Sequence, residues 1–199
     1  MPELSQAEFT RAARGAHITP GVAPNVEPVI MGLSSVAHCA LRKVHRDPPG
    51  HALVYFDRKV AKYAGGPAWP VARALRKALE RYIAWDAAAG MPPRVDGIDV
   101  KLTVPFGPGH GVRAISHAVV DDGAGGSEAR IVLWDELRLR QSSAEMIALP
   151  ILEAADARYG SGSTTLVNVW QVTQNQPFPV APTHARGRLT DIRALFARI

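Results

Sequence analysis

The stretch Gly97-Ile98-Asp99-Val100-Lys101-Leu102-Thr103-Val104-Pro105-Phe106 alternates apolar and polar residues. Ile98, Val100, Leu102 and Val104 share one face, and Asp99, Lys101 and Thr103 share the other. A period of two predicts a half-buried strand. Gly107-Pro108-Gly109-His110-Gly111 links it to a second apolar run, Val112 to Val120, and a glycine-rich turn from Asp121 to Ser127 leads into a third, Glu128 to Leu139. Three strands joined by short, turn-rich links predict an antiparallel meander.

Helices flank this meander. Upstream, Val71, Leu75, Ala78, Leu79, Tyr82 and Ile83 recur at helical spacing behind Pro70, a good first-turn residue, and Gly90-Met91-Pro92-Pro93 ends the run. Downstream, Ser142-Ser143-Ala144-Glu145 has capping-box spacing and opens a helix to Tyr159, with a kink expected at Pro150. Thr164 to Thr173 predicts a further strand, and Ala185, Leu189, Ile192, Leu195 or Phe196, and Ile199 mark one side of a closing helix. The order helix, three strands, helix, strand, helix places the chain in the mixed α/β (α+β) class.

The N-terminal part is an elaboration on that core. Ser5-Gln6-Ala7-Glu8 is a capping-box pattern for a short helix ending at Gly15. Pro20, Pro24 and Pro28 then recur every four residues, which predicts an extended arm suited to gripping a protein partner. Leu33, Val36, Ala37, Ala40, Leu41 and Val44 give a helix closed by Asp47-Pro48-Pro49-Gly50, and a helical turn is expected over 57–64. With no repeat and no composition break, residues 1–199 are expected to form a single domain, 1–32 as helix and arm and 33–199 as the core.

Charge narrows the function classes. Residues 1–90 hold 12 Lys/Arg against 7 Asp/Glu, whereas residues 91–199 hold 11 of each, so the net +5 sits wholly in the first half. Arg42, Lys43, Arg46, Arg58, Lys59, Arg73, Arg76 and Lys77 are the candidate phosphate contacts there, with Lys62 and Arg81 adding to the excess. A solvated helix surface is the plainer account of the same residues. Cys39 is the only cysteine, which excludes an internal disulfide and a multi-cysteine metal site. No apolar run reaches the roughly 18–20 residues of a membrane span, and the polar, acidic start is unlike a signal peptide, so a cytoplasmic location is expected. Gly107, Gly109 and Gly111 join two strands, so they predict a hairpin link, not a phosphate-binding loop.

The stretch Leu33-Ser34-Ser35-Val36-Ala37-His38-Cys39-Ala40-Leu41-Arg42-Lys43 resembles the first helix of RecB-like exonucleases in the PD-(D/E)XK superfamily. Val112 to Val120 is similar to that family's Gly-x-x-Asp strand, and Ala129 to Leu137 to its Asp-x-Lys strand. The resemblance covers nearly the whole chain, by pattern more than by identical residues. It implies a core in which two acidic groups hold Mg²⁺ or Mn²⁺ and a lysine activates water. The departures fall on those positions: His117 replaces the first carboxylate, Asp135 is retained, and Leu137 replaces the lysine. A histidine suits a transition metal better than magnesium, and leucine cannot replace lysine. On this alignment the metal candidates are Asp135 and His117. In a second register, Asp99-Val100-Lys101 supplies the Asp-x-Lys, with Asp57 or Asp96 as the other carboxylate; a solvent-facing Asp/Lys pair is the plain alternative.

The sequence therefore leads to a nucleic-acid-binding accessory subunit, with DNA the expected partner and the catalytic motif degenerate. An active metal-dependent nuclease using Asp99, Lys101 or Asp135 is the first alternative. A purely structural assembly subunit is the second.

Overall fold

The computed structural model describes residues 3–16, 28–48, 50–134, 137–172 and 174–198. The fold is mixed α/β and divides into two compact units, one of residues 1–23 with 93–199, the other of residues 24–92.

The larger unit is built on a six-stranded mixed sheet. Its strands are β1 (Glu3–Ser5), β2 (Pro93–Gly107), β3 (His110–Asp121), β4 (Ser127–Leu133), β5 (Thr164–Gln171) and β6 (Gln176–Val180). Strands β2, β3 and β4 form the expected antiparallel meander, with the glycine link as its first hairpin, Gly107 opposite His110. Helix α5 (Gln141–Tyr159) then carries the chain across so that β5 returns parallel to β4, and β6 closes the edge antiparallel to β5. Strand β1 pairs parallel with the start of β3, Leu4 opposite Val112.

Apolar side chains drive this layering. Ala129, Ile131 and Leu133 of β4 and Val167 and Val169 of β5 belong to the same buried core as Ile147, Ile151 and Leu152 of α5. Residues 147–152 are buried at every position, so the middle of α5 is apolar all round, and the helix runs unbroken through Pro150. Proline inside a helix costs roughly 3 kcal/mol, which the burial of the surrounding side chains offsets here. Helix α1 (Gln6–Ala13) and helix α7 (Leu189–Phe196) complete the layer through Phe9 and Phe196, which stack with Phe106 at centroid distances of 6.3–6.5 Å.

Some boundaries differ from the sequence expectation. The third strand stops at Leu133, not Leu139. The closing helix is two pieces, α6 (Pro182–Arg186) and α7, and β1 and β6 are additional. Ser5 and Glu8 do form their capping box, Glu8 Oε2 accepting from the Ser5 N–H at 2.8 Å. Ser142 and Glu145 do not: α5 already begins at Gln141, and Glu145 instead accepts from Arg188 at 2.6 Å.

Strand β2 is irregular at its start. Asp96 and Asp99 take left-handed φ values of +54° and +57°, and Gly97 leaves no room for a Cβ against the Val119 carbonyl. Aspartate tolerates that backbone better than most residues, and the result is a bulge between Pro93 and Ile98.

At the β3–β4 turn, Asp122 accepts from the Ala124 and Gly126 amides and from the Thr165 hydroxyl at 2.8–2.9 Å. These bonds, the Ala124 amide first, hold its carboxyl below the usual value. A folded value below the unfolded one makes this contribution complete above about pH 4 and lost as pH falls through the lowered value. The gap in thermal midpoint between wild type and Asp122→Ala is therefore expected to close on acidification below about pH 4. A gap that stays constant would show that the turn does not depend on the charge.

The second unit is helical: α2 (Pro28–Arg46), α3 (His51–Val60), a 3₁₀ turn at 61–63 and α4 (Trp69–Ala89). The expected turn at 57–64 is thus the end of α3 and its 3₁₀ extension. Leu33, Ala37, Ala40 and Leu41 of α2, Ala52, Phe56 and Val60 of α3, and Ala72, Leu75, Leu79 and Tyr82 of α4 are buried at helical spacing. Of the proline-spaced arm, Pro28 opens α2, and Pro20 and Pro24 lie outside the described residues.

Candidate nucleic-acid interface

The helical unit holds ten Lys/Arg and five Asp/Glu, so it carries the net +5 of the chain and the sheet unit is neutral. Not all ten cations are available. Arg76 lies between Asp57, at 2.6 Å, and Glu80, and hydrogen bonding to Asp57 is the main cause raising its already high pKa. Lys43 is paired with Asp47 at 2.7 Å, and its ammonium sits 5.3 Å from the Tyr55 ring centroid. Arg42 is half-buried. Lys59 is exposed, 5.8 Å from the same Tyr55 ring.

Arg46, Arg58, Arg73 and Lys77 are different. All four are exposed, and none has an acidic partner among the described residues. Arg73 and Lys77 are joined by Arg81, also exposed and also without an acidic partner among the described residues. Positions 73, 77 and 81 are spaced i, i+4, i+8, so they form one stripe along α4, with Ala72, Leu75 and Leu79 buried. The sequence expectation placed Arg81 in the basic excess but not among the contacts; its four-residue spacing was the signal.

Such a stripe is costly without a counter-charge. Like charges at i, i+4 each destabilise a helix by roughly 0.2–0.5 kcal/mol, and this stripe contains two such pairs. Bound phosphates would relieve that repulsion. The arrangement can bind a polyanion through point charges and Arg forks, which carries affinity without base specificity.

The positions aligned with catalysis have other occupations. Strand β3 pairs with β1 at 111–113 and with β4 from Ala118 onward, leaving the edge between them unpaired by strands. There the Ser116 hydroxyl lies 2.9 Å from the Ala118 carbonyl and 3.2 Å from that of Arg130, and the Val132 N–H donates to His117 Nδ1 at 2.8 Å. His117 thus stands in for a missing strand bond. With Nδ1 accepting, the neutral ring carries its proton on Nε2, and neither nitrogen offers a lone pair to a metal. Leu137 is partly exposed, and its carbonyl accepts from Arg14 at 2.8 Å. Asp135 lies outside the described residues.

The second register is dispersed. Lys101 is exposed on β2 and Asp99 is half-buried beside it in sequence, but the left-handed backbone at Asp99 breaks the strict alternation that an Asp-x-Lys pair needs. Asp96 is paired with Arg158 at 2.9 Å, and Asp57 belongs to the helical unit. Among the described residues, no three His, Cys, Asp or Glu side chains come together as a metal site.

One polar pair escaped the sequence reading. Glu128 and Arg130 are two apart on β4 and form a buried ion pair at 2.6 Å, with Arg130 1% exposed. Charged residues at alternate positions in an otherwise apolar strand were the signal. No protein-family model matches the chain, and no curated protein matches it. Among the described residues, no helix is long and apolar enough to cross a membrane.

Proposed function

We propose that this chain is a cytoplasmic nucleic-acid-binding accessory module, with a PD-(D/E)XK-like core that has kept a binding role and dropped cleavage. The observation that carries the reading is the stripe of Arg73, Lys77 and Arg81, without acidic partners among the described residues, on the unit that bears the net charge. Exposed cations without partners favour phosphate contact over a structural role. The order α4, β2–β3–β4, α5, β5, with neighbouring strands in sequence order and β4 parallel to β5, supports the nuclease-like ancestry. The commitment of His117 to a backbone amide and the leucine at position 137 support loss of cleavage. The described residues at those positions do not fit Mg²⁺ or Mn²⁺, which favour oxygen ligands.

The test is incubation with labelled single- and double-stranded DNA, with and without Mg²⁺ or Mn²⁺, for wild type, Asp99→Ala and Asp135→Ala. Retention that weakens with salt and proceeds without cleavage is expected, unchanged in both variants. Metal-dependent cleavage lost in either variant would replace this reading with an active nuclease and identify its register. Neither retention nor cleavage would leave an assembly subunit.

A further inference from the structure

The sheet unit contains a groove that the basic stripe does not use. Its floor is the helix-side face of β2 near its end, Leu102, Val104 and Phe106, and its walls are Leu149 of α5 and Leu189 and Arg193 of α7. The cavity measures about 590 Å³, within the range of small-ligand sites. The floor is deep, Val104 and Phe106 each being 5% exposed, and Leu102 at the rim is 40% exposed.

Two arginines line it, and they are not equivalent. Glu153 also lines the groove, and Arg186 is paired with it at 3.4 Å and with Asp156 at 2.9 Å. Arg193 has no carboxylate among the described residues; its one contact there is a long bond from Nε to the Phe106 carbonyl at 3.4 Å. A guanidinium is a planar fork suited to a carboxylate, and here it stands beside an apolar trough. A neutral apolar ligand would leave that charge unused, and among the described residues Arg193 is the lining cation without a carboxylate, one positive charge for one negative.

We infer that the groove binds a small amphipathic monocarboxylate, its hydrocarbon body against Leu102, Val104, Phe106 and Leu149 and its carboxylate on Arg193. The site lies in the sheet unit and is independent of the nucleic-acid reading.

Calorimetric titration of the full chain with octanoate and with octanol tests it. Octanoate is expected to bind saturably at one site, and octanol at least about tenfold more weakly, because a charge-assisted hydrogen bond is about twice as strong as a neutral one. Arg193→Gln, an exposed position, should bring octanoate to the level of octanol and leave octanol unchanged. Arg73→Gln should leave both unchanged. Equal binding of the two ligands by wild type, octanoate binding unaltered in Arg193→Gln, or no saturable binding would each overturn the inference.

Discussion

Replacing Arg130 by alanine is expected to lower the free energy of unfolding by about 3–5 kcal/mol, seen as a marked drop in the urea midpoint. The large value follows from burial: Arg130 is 1% exposed and its partner Glu128 5%. Charges removed from water are tolerable only while they are paired. Truncating the guanidinium leaves the buried Glu128 carboxylate without the partner it has among the described residues. The converse change should behave differently. Replacing both together, Glu128→Leu with Arg130→Met, removes this charge pair and its desolvation cost at once and is expected to recover part of the loss. If the single variant costs under about 1 kcal/mol, the pair is solvated after all and behaves like a surface bridge. Nucleic-acid retention by the folded double variant should match wild type, since the stripe on α4 is untouched.

The second large effect is on binding. Changing Arg73, Lys77 and Arg81 together to glutamine is expected to abolish most salt-sensitive retention. For duplex DNA the slope of log K against log salt should become shallower by about 2.7, three phosphate contacts at about 0.9 each. Stability should move the other way, because two like-charge i, i+4 pairs disappear, each worth roughly 0.2–0.5 kcal/mol. Weaker binding in a slightly more stable protein is a combination that a folding role cannot produce. An unchanged slope would return these residues to the status of a solvated helix surface.

The order of elements was legible because its signals are local. The strand at 98–104, the helical spacing at 71–83 and the glycine–proline punctuation between them survive into the structure, although Asp99 interrupts the strict alternation and Leu102 is exposed. What was hidden depends on residues far apart. Strand β1 is three residues long and exists through its pairing with β3. Strand β6, Gln176-Pro177-Phe178-Pro179-Val180, carries two prolines that argue against a strand unless it lies at an edge, as it does here. Glu145 had capping-box spacing, but Arg188, forty-three residues on, claims it. The site follows the same division. The basic excess was visible from composition, whereas the commitment of Arg76 to Asp57 across nineteen residues was not. Likewise the sequence names a histidine at 117, but only the local divergence of β3 from β4 gives its ring a backbone amide to serve.

The helical unit interrupts the sheet unit in the chain, and this has a consequence for biosynthesis. Residues 24–92 are contiguous and leave the ribosome as a complete set of mutually packing helices. Strand β1 emerges earlier but has no mate until Gly111 and Val112 follow. At translation rates of about 5–20 residues per second, Leu4 waits on the order of 5–20 s for Val112. Leu4 and Phe9 are fully buried in the fold, and that burial has to wait for residues made later. That waiting segment offers a nascent-chain chaperone a hydrophobic target.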